Sequence, residues 1–537
     1  MLDVAIIGAG LCGLSLAHTL AARGQRVAVF EARDRVGGRV LTHICPHTGA
    51  ALDLGPTWYW PQTEPRMAAL LDHLGLGHHA QHDEGISLLL DDPNREPQAL
   101  ARSSVHGGAH RIEGGAARLI DALAAVLPEE ALRTGLALQA VQDRGDHVDL
   151  EFVTQGGPPV FTHRVQARHV VLALPARMAL ERVRYTPSLP AAVSDALRDT
   201  PTWMATQAKS LSSHARPFWR EAGQSGNAFV QHPQAVLGEV FDASPADPQG
   251  PGVLGGFSAL SPSYRAAVSP ISLALLVDSQ WQQLFGPLAA QGHTVHHDWA
   301  REPWTCSELD RQDAQAASMA QPAYGDPLLR RPVWAGRLHF AGTETATYGA
   351  GHLEGALDAA ARVARSLNAM GAQDAAVPVA PAPSEADLTA MAHFRSWVHL
   401  ARQQALERYR GQVHQRLSTQ RDDQLTQQAL LACVEQVYSA ALTALEALPA
   451  HTPSVSDVPG RSPLTPAVLA AFSGWNKDLL DQALQFNRSS CALSNFPDEA
   501  QPSDDYLKVI TRDLVAAWRE FALSANDVLL ARACALA

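Results

Sequence analysis

The sequence predicts an α/β fold to which a C-terminal α-helical region is appended. Residues 3–31 comprise a short apolar run, a glycine-rich turn, a segment that is apolar at helical spacing, and a second apolar run, a pattern typical of a βαβ unit. The middle of the chain mixes further apolar runs with helical segments. Beyond a segment rich in Ala and Pro at 372–386, the hydrophobic pattern is helical.

The opening unit carries a dinucleotide-binding motif. Gly8, Gly10 and Gly13 form a GxGxxG sequence. The motif follows a predicted strand at 4–7 and opens a predicted helix, and Glu31 ends the next strand. Glycines in this turn allow the backbone to approach a pyrophosphate, which the helix N-terminus stabilises, and Glu31 can accept hydrogen bonds from ribose hydroxyls. We therefore predict a Rossmann-type domain.

The composition indicates a soluble, globular protein that does not bind nucleic acid. The 537 residues carry a net charge of −12, whereas phosphate backbones are bound by clustered Lys and Arg. The first strand begins without a preceding signal peptide, and we find no run of about 20 apolar residues. We expect a cytoplasmic protein that does not span a membrane.

Cysteine and histidine patterns predict no metal site. The six cysteines include no CxxC pair, which argues against a zinc framework or a disulfide scaffold and favours reduced, buried thiols. His293, His296 and His297 have no cysteine nearby and only Asp298 as a neighbouring carboxylate.

Two separated stretches of the chain resemble one family of flavoproteins. They are Glu31-Ala32-Arg33-Asp34-Arg35-Val36-Gly37-Gly38-Arg39 and, late in the chain, Phe340-Ala341-Gly342-Thr343-Glu344-Thr345 with Gly351-His352-Leu353-Glu354-Gly355-Ala356. Together they resemble the FAD-dependent amine oxidases of the monoamine oxidase type, over residues 1 to about 370. The resemblance implies a Rossmann-type FAD-binding domain joined to an α+β substrate domain.

The resemblance also implies which residues contact FAD. Besides the glycine motif and Glu31, they are Arg33, Gly38, Arg39, Gly55, Pro56, Thr57, Trp304, Gly342, Glu344, His352 and Leu353. Glu344 would hold ribityl or phosphate groups through water or backbone. The helix beginning near Leu353 would point its N-terminus at the flavin, where negative charge develops on reduction.

Four residues are implied around the substrate. Lys209 lies in a segment, 203–219, that resembles the family's central strand, where a lysine holds a water beside the flavin and assists the reaction with O2. Tyr324 and His352 would form two walls of an amine pocket. His352 stands where the family often has an aromatic ring, and it can hydrogen-bond a polar substrate or act as a base. Trp58 would line the pocket.

Two departures from the family pattern bear on cofactor and substrate. Ala323 stands where covalent members carry a cysteine, so we expect non-covalent FAD. L-amino-acid oxidases place an arginine in the loop that corresponds to 53–61, and this loop contains none. An amino-acid substrate is therefore disfavoured, although it is not excluded.

The resemblance and the composition divide the chain into interleaved domains. We predict FAD-binding segments at 1–80, 109–180 and 326–371, a substrate domain at 81–108 and 181–325, a linker at 372–386 and a C-terminal helical domain at 387–537. Within the last region we expect helices at about 387–417, 422–447, 466–486 and 506–535. This region would cap the active site, form a homodimer or recruit a carrier protein, and its sequence does not choose among these roles.

We therefore expect an enzyme that oxidises a small-molecule amine with O2. A hydride would pass from the carbon next to nitrogen to N5 of FAD, giving an imine, and O2 would reoxidise the flavin with release of H2O2. One alternative is an L-amino-acid oxidase, or a biosynthetic desaturase or dehydrogenase, on the same fold. Another is a flavin-binding protein that has lost catalysis, against which Lys209 and Tyr324 argue.

Overall fold

The structure of the chain is a computed structural model. The described residues are 1–100, 106–155, 161–315, 324–346, 348–374, 385–418, 424–448, 461–489, 493 and 496–534. They form two compact units, Met1–Ala360 and Ala361–Ala537. The boundary falls before the predicted linker at 372–386, most of which lies outside the described residues.

The first unit is built on two large sheets. Its strands are β1 (Leu2–Ile7), β2 (Val27–Phe30), β3 (Thr42–Ile44), β4 (Ala51–Asp53), β5 (His78–Ala80), β6 (Ile86–Leu90), β7 (Gln98–Leu100), β8 (His110–Ile112), β9 (Leu132–Arg133), β10 (Leu136–Asp143), β11 (Val148–Thr154), β12 (Thr162–Leu172), β13 (Arg184–Thr186), β14 (Ala208–His214), β15 (Gln224–Val230), β16 (Leu237–Asp242), β17 (Gly252–Ser258), β18 (His293–Asp298) and β19 (Leu338–Phe340).

Short and medium-length helices connect these strands. They are α1 (Leu11–Ala21), α2 (Pro65–Leu74), α3 (Ala117–Ala125), α4 (Ala176–Arg182), α5 (Ala191–Asp199), α6 (Phe218–Glu221), α7 (Pro262–Ala267), α8 (Pro270–Phe285), α9 (Glu308–Gln315), α10 (Pro327–Arg330) and α11 (Leu353–Asp374), with 3₁₀ turns at Glu129–Ala131, Pro287–Gln291, Trp299–Arg301 and Thr343–Thr345. The boundary between the two units falls within α11.

The first sheet has a parallel centre. β12 pairs in parallel with β1 and β19, and β1 pairs in parallel with β2, so that Ile6 lies beside Val171 and Val29. Every residue of β2 is buried, as an apolar run in a parallel strand requires. The predicted βαβ opening is present, and the turn after β1 lies at the carboxyl ends of the strands, where ligands bind in such sheets.

The second sheet collects strands from two distant parts of the chain. Its order is β18-β14-β17-β16-β15-β6-β7. Every residue of β14 is buried, and its Lys209 lies opposite Phe257 on one neighbour and His297 on the other. The strands belong to the segments predicted as the substrate domain, except that β13, after residue 181, pairs with β10 of the first sheet.

The second unit is helical. Its helices are α12 (Glu385–Ser418), α13 (Leu425–Ala447), α14 (Thr465–Ala471), α15 (Trp475–Ser489), α16 (Pro497–Ala500) and α17 (Asp504–Cys534). The predicted single helix at 466–486 is wrong, because Gly474, with φ of 73°, takes a left-handed conformation between α14 and α15. The core includes Tyr438 stacked on Phe521, with ring centroids 4.5 Å apart.

Helix α13 corrects the expectation that the chain contains no long apolar stretch. Among the described residues it is the helix that is long and apolar enough to cross a membrane, with 23 residues and a mean hydropathy of 1.2 in its most apolar window. However, 61% of that window is buried inside the protein. Such burial is typical of a core helix, and buried members such as Cys433 and Val437 belong to the apolar core of the second unit.

We expect a chain that ends at Asp374, after the last turn of α11, to fold and to bind the FAD that the sequence predicts, because the second unit has an apolar core of its own. The far-ultraviolet circular dichroism and the flavin absorbance per chain of the purified truncated protein provide the check. A colourless or unfolded product would contradict this prediction.

Candidate active site

A large cleft in the first unit brings together the predicted cofactor and substrate segments. It encloses about 1890 Å³ of atom-free space, counting its mouth, and is lined by the glycine turn and by residues 37–40, 54–58, 207–209 and 351–353. The part of this space that the centre of a water molecule can reach measures about 350 Å³, which lies within the range of about 300–1,000 Å³ that is usual for a ligand pocket. The same cleft joins the turn after β1 to the segments predicted to line the substrate site.

The turn between β1 and α1 depends on two glycines. Gly8 has φ of 104°, a left-handed conformation, and a Cβ there would lie 2.5 Å from the carbonyl oxygen of Ala173. A Cβ on Gly13 would lie 2.0 Å from the carbonyl oxygen of Gly8, so α1 packs against the turn only without a side chain at that position. Together with the N-terminus of α1, the turn fits a pyrophosphate group.

Glu31 is buried beside this turn at the end of β2. Its Oε2 accepts a hydrogen bond from the Ala9 amide at 2.9 Å, and its Oε1 accepts one from the Arg33 amide at 3.0 Å. A carboxylate has about four acceptor sites, so lone pairs remain for ribose hydroxyls. Glu31 thus lies where the predicted ribose contact requires it.

Arg33 lines the cleft as one half of an ion pair. Its Nε and Nη2 donate to Glu302 at 3.2 and 3.0 Å, and Nη2 also donates to the Thr305 hydroxyl at 2.7 Å. The prediction that Arg33 contacts the cofactor did not include this partner. Because Glu302 compensates the guanidinium, Arg33 adds little net positive charge to the cleft.

A buried ion pair joins the early and late motifs. Arg39 donates from Nη1 and Nη2 to the two carboxylate oxygens of Glu344, at 2.5 and 3.0 Å, and from Nη1 to the Trp203 carbonyl at 3.1 Å. Glu344, which is 1% exposed, also accepts a hydrogen bond from the Trp203 amide at 3.1 Å. Burial lowers the pKa of Arg39, but the charge and hydrogen bonds of Glu344, with smaller contributions from Tyr324 and Asp310, together outweigh burial and the net shift is upward.

The partners of the Glu344 carboxylate were not predicted. Its oxygens bind Arg39 and the Trp203 backbone, and the predicted hold on ribityl or phosphate groups through water or backbone stays a prediction. Glu344 is not among the described residues that line the cleft. A fully buried carboxylate needs a cation and hydrogen-bond donors, and the protein itself supplies them here.

Lys209 lies buried in the wall of the cleft. Its Nζ donates to the carbonyl oxygens of Asp53 and Gly55, at 2.9 and 2.7 Å, and to the hydroxyl of Thr57. Burial lowers the pKa of Lys209 to about 7, while the Asp53 carboxylate acts in the opposite direction. Lys209 therefore holds the loop of Gly55, Pro56 and Thr57, all three of which line the cleft as predicted.

Trp58 lines the cleft as the sequence predicted. Its indole Nε1 donates to the Gln81 side chain at 2.8 Å, and its ring stacks on His106 with centroids 4.1 Å apart. The ring of Phe241 meets it edge-on at 4.6 Å. These contacts hold the indole against the second sheet.

His352 lies directly before α11 and faces two tryptophans. Its ring centroid is 5.9 Å from that of Trp60 and 6.0 Å from that of Trp203. Its Nδ1 is 2.8 Å from Oε1 of Glu64. All three rings line the cleft, so the structure builds an aromatic pocket from Trp60, Trp203 and His352.

Tyr324 packs against this pocket. Its ring meets Trp203 edge-on at 6.0 Å, and Tyr324 is not among the described residues that line the cleft. Burial raises the pKa of its phenol above the ordinary value. Direct contact of Tyr324 with substrate stays a prediction, and Ala323 lies outside the described residues.

Most of the residues predicted from the sequence converge on the cleft. Those that line it are Gly8, Gly10, Glu31, Arg33, Gly38, Arg39, Gly55, Pro56, Thr57, Trp58, Lys209, Trp304, Gly342, His352 and Leu353. Gly13, Tyr324 and Glu344 support this lining from behind or beside it. In the described part of the chain, no group of three or more His, Cys, Asp or Glu side chains is placed to hold a metal ion.

Sequence reasoning missed four residues of the site. Trp60 and Trp203 lie in segments already singled out, but nothing local shows that they meet. Trp299 is buried in the lining and donates from its indole to the Leu54 carbonyl at 3.0 Å. Glu64 is separated from His352 by 288 residues, so no spacing rule could pair them.

Comparison with known proteins identifies a family. The family model described as flavin containing amine oxidoreductase matches residues 11–102 and 94–368. Amine oxidase [flavin-containing] B of Bos taurus is 24% identical over 462 residues, which cover 69% of this chain and 86% of that protein. The probable flavin-containing monoamine oxidase A of Dictyostelium discoideum is 23% identical, covering 68% of this chain and 97% of that protein.

Solved structures share the fold. Wild-type putrescine oxidase bound to putrescine matches with a TM-score of 0.54 and 22% identity, covering 68% of this chain and 98% of that chain. Cyclohexylamine oxidase from Brevibacterium oxydans matches with a TM-score of 0.55 and 20% identity, with coverage of 68% and 98%. These likenesses confirm the predicted fold of the first unit.

Glu344→Gln is expected to destabilise the first unit by about 3 kcal/mol, because it leaves the Arg39 guanidinium without a compensating charge. Thermal unfolding and the flavin retained per chain are the measurements. Glu308→Gln, which breaks the exposed pair with Arg311, is the matched control and should change neither. Equal stability of the two variants would show that the buried pair contributes little.

Lys209 should make stability depend on pH. Its pKa is about 7 in the folded protein and 10.5 in an ordinary lysine, so the unfolded chain binds more protons between these pH values. The free energy of unfolding of the wild type should therefore rise, relative to that of Lys209→Met, as pH increases through this window. Tm values of both proteins between pH 6 and about 10 test this, and a constant difference would contradict it.

Proposed function

The chain belongs to the family of flavin containing amine oxidoreductases, and from this premise we propose that it binds FAD non-covalently and oxidises a small-molecule amine. One observation carries the proposal. A single cleft contains the glycine turn after β1, Lys209 and the aromatic pocket of Trp60, Trp203 and His352. A cofactor and an amine can therefore occupy adjoining parts of the same space.

Several residues of the chain fit FAD. The pyrophosphate would be held by the backbone of the turn that begins at Gly8, and a ribose by Glu31. The N-terminus of α11 at Leu353, a helix of 22 residues, favours the end of a ring system on which negative charge develops. When bound, FAD supplies the acceptor for a hydride from the carbon next to nitrogen, and O2 then takes the electrons as H2O2.

The charges around the cleft suit an amine better than an anion. Arg33 and Arg39 are paired with Glu302 and Glu344, so their positive charges are compensated. Burial lowers the pKa of Lys209 to about 7, and its Nζ donates its hydrogen bonds to the Asp53 and Gly55 carbonyls and the Thr57 hydroxyl. A substrate carboxylate would need an uncompensated cation, so these pairs count against an L-amino-acid substrate beside Arg33 and Arg39. Arg182, which lies over the Trp304 ring, also lines the cleft and forms no ion pair with another described residue.

The rings of the pocket would position the substrate and exclude water. Trp58, Trp60 and Trp203 present large apolar faces to the cleft, and such faces also attract cations. The solved relatives include oxidases named for putrescine and cyclohexylamine. Primary aliphatic and aromatic amines are therefore the first candidates.

A panel of benzylamine, phenethylamine, cyclohexylamine, putrescine and L-amino acids tests the proposal. We expect a yellow protein whose FAD is released by denaturation, whose absorbance is bleached anaerobically by at least one amine, and which forms H2O2 in air. Bleaching without peroxide would indicate a dehydrogenase or desaturase. Protein that stays colourless with added FAD, or is bleached by no amine, would refute the proposal.

A further inference from the structure

A carboxylate and an imidazole form a pair at the aromatic pocket. Nδ1 of His352 lies 2.8 Å from Oε1 of Glu64. The side chain of Glu64 is 5% exposed, whereas that of His352 is 38% exposed and lines the cleft. The imidazole therefore faces the cleft and the carboxylate lies behind it.

An ionised Glu64 would fix which nitrogen of His352 carries a proton. Its Oε2 accepts a hydrogen bond from the Trp60 amide at 2.9 Å, and an ionised carboxylate has no proton to donate. Nδ1 must then be the donor to Oε1, which leaves a lone pair on Nε2. Within the described part of the chain, Nε2 has no hydrogen-bond partner, so this lone pair is available to a ligand in the cleft.

Two indoles lie where they would attract a cation to the side of this lone pair. The rings of Trp60 and Trp203 lie 5.9 and 6.0 Å from the imidazole centroid. A Cβ on Gly351 would lie 2.5 Å from the indole of Trp203, so the glycine lets that ring pack directly against the backbone. An ammonium ion near such rings is attracted by their faces.

We propose that His352, positioned by Glu64, takes the proton from a substrate ammonium, so that the substrate is an amine that enters the cleft protonated. One N–H bond of the ammonium breaks. The proton forms a new bond to Nε2 of His352, and the electron pair of the broken bond stays on the substrate nitrogen. The imidazolium that forms is compensated by Glu64. The inference rests on the proposed function, because the neutral amine is the form whose neighbouring carbon releases a hydride.

Other charged groups surround the pair. Glu354 accepts hydrogen bonds from the Arg66 and Met67 amides at 3.1 and 2.8 Å, and Arg66 pairs with Asp358 at 3.4 Å. Burial raises the pKa of Glu354 to about 7, and the charge of Glu64 acts in the same direction. A change in the protonation of Glu354 near pH 7 could be mistaken for that of His352, so a Glu354 variant is included in the test.

The test is the rate of anaerobic flavin reduction by the fastest amine of the panel, measured from pH 6 to about 9.5 on holoenzyme. In His352→Gln this rate should fall by about 10²-fold near neutral pH, and its acid limb should move to higher pH, where the substrate ammonium loses its proton without the imidazole. In Glu64→Gln the limb should move to lower pH, because the imidazolium form loses the carboxylate that stabilises it. Glu354→Gln should retain the limb, and so should the matched control Asp72→Asn, which removes an exposed carboxylate on α2.

The outcomes separate this inference from the proposed function. A wild type that reduces its flavin with an amine, but whose acid limb is the same in His352→Gln or disappears only in Glu354→Gln, would overturn the inference alone. A wild type that no amine reduces would overturn both. If His352→Gln loses FAD, two other measurements test the inference: the shift of the acid limb in Glu64→Gln, and the partial recovery of the rate when imidazole is added to His352→Gly. If neither is observed, the inference is rejected.

Discussion

The ion pair between Arg39 and Glu344 is the interaction on which the site depends. The two residues are 305 positions apart, and Glu344 is almost fully removed from water. A charge buried in this way is tolerated only with a partner and hydrogen-bond donors, so the loop of Arg39, the turn of Glu344 and the backbone of Trp203 must come together. The tryptophan that this network holds is also a wall of the aromatic pocket.

Several cationic side chains of the cleft are compensated within the protein. Arg33 and Arg39 each have a carboxylate partner, and Lys209, whose hydrogen bonds go to the loop around Gly55, has a pKa lowered by burial. A cofactor with its own negative phosphates would meet backbone amides more than free cations. What remains is an aromatic, low-dielectric space, in which small differences in protonation have large energetic consequences.

The interleaved topology explains how such a cleft forms. The first sheet provides the turn after β1 and, through β19, the segment that leads to Glu344, while the second sheet provides Lys209 on β14. Each sheet gathers strands that are distant in sequence, and the loops that leave them line the same space. The helical second unit has a separate apolar core, with Tyr438 and Phe521 at its centre.

The sequence by itself determined what local pattern can encode. The GxGxxG turn and the apolar runs of β1 and β2 identified the Rossmann-type fold, because glycine geometry and hydrophobic period are properties of neighbouring residues. Most of the residues that line the cleft followed from the resemblance of separated motifs, such as those around Gly342 and His352, to one family of flavoproteins. Only the tertiary structure decided which groups meet across long distances. It made Glu344 the counterion of Arg39, put Trp203 rather than Tyr324 in the lining, and set Glu64 behind His352. Such pairings depend on the order of strands within the sheets and on which buried charges are then brought together. The spacing of residues along the chain indicates neither.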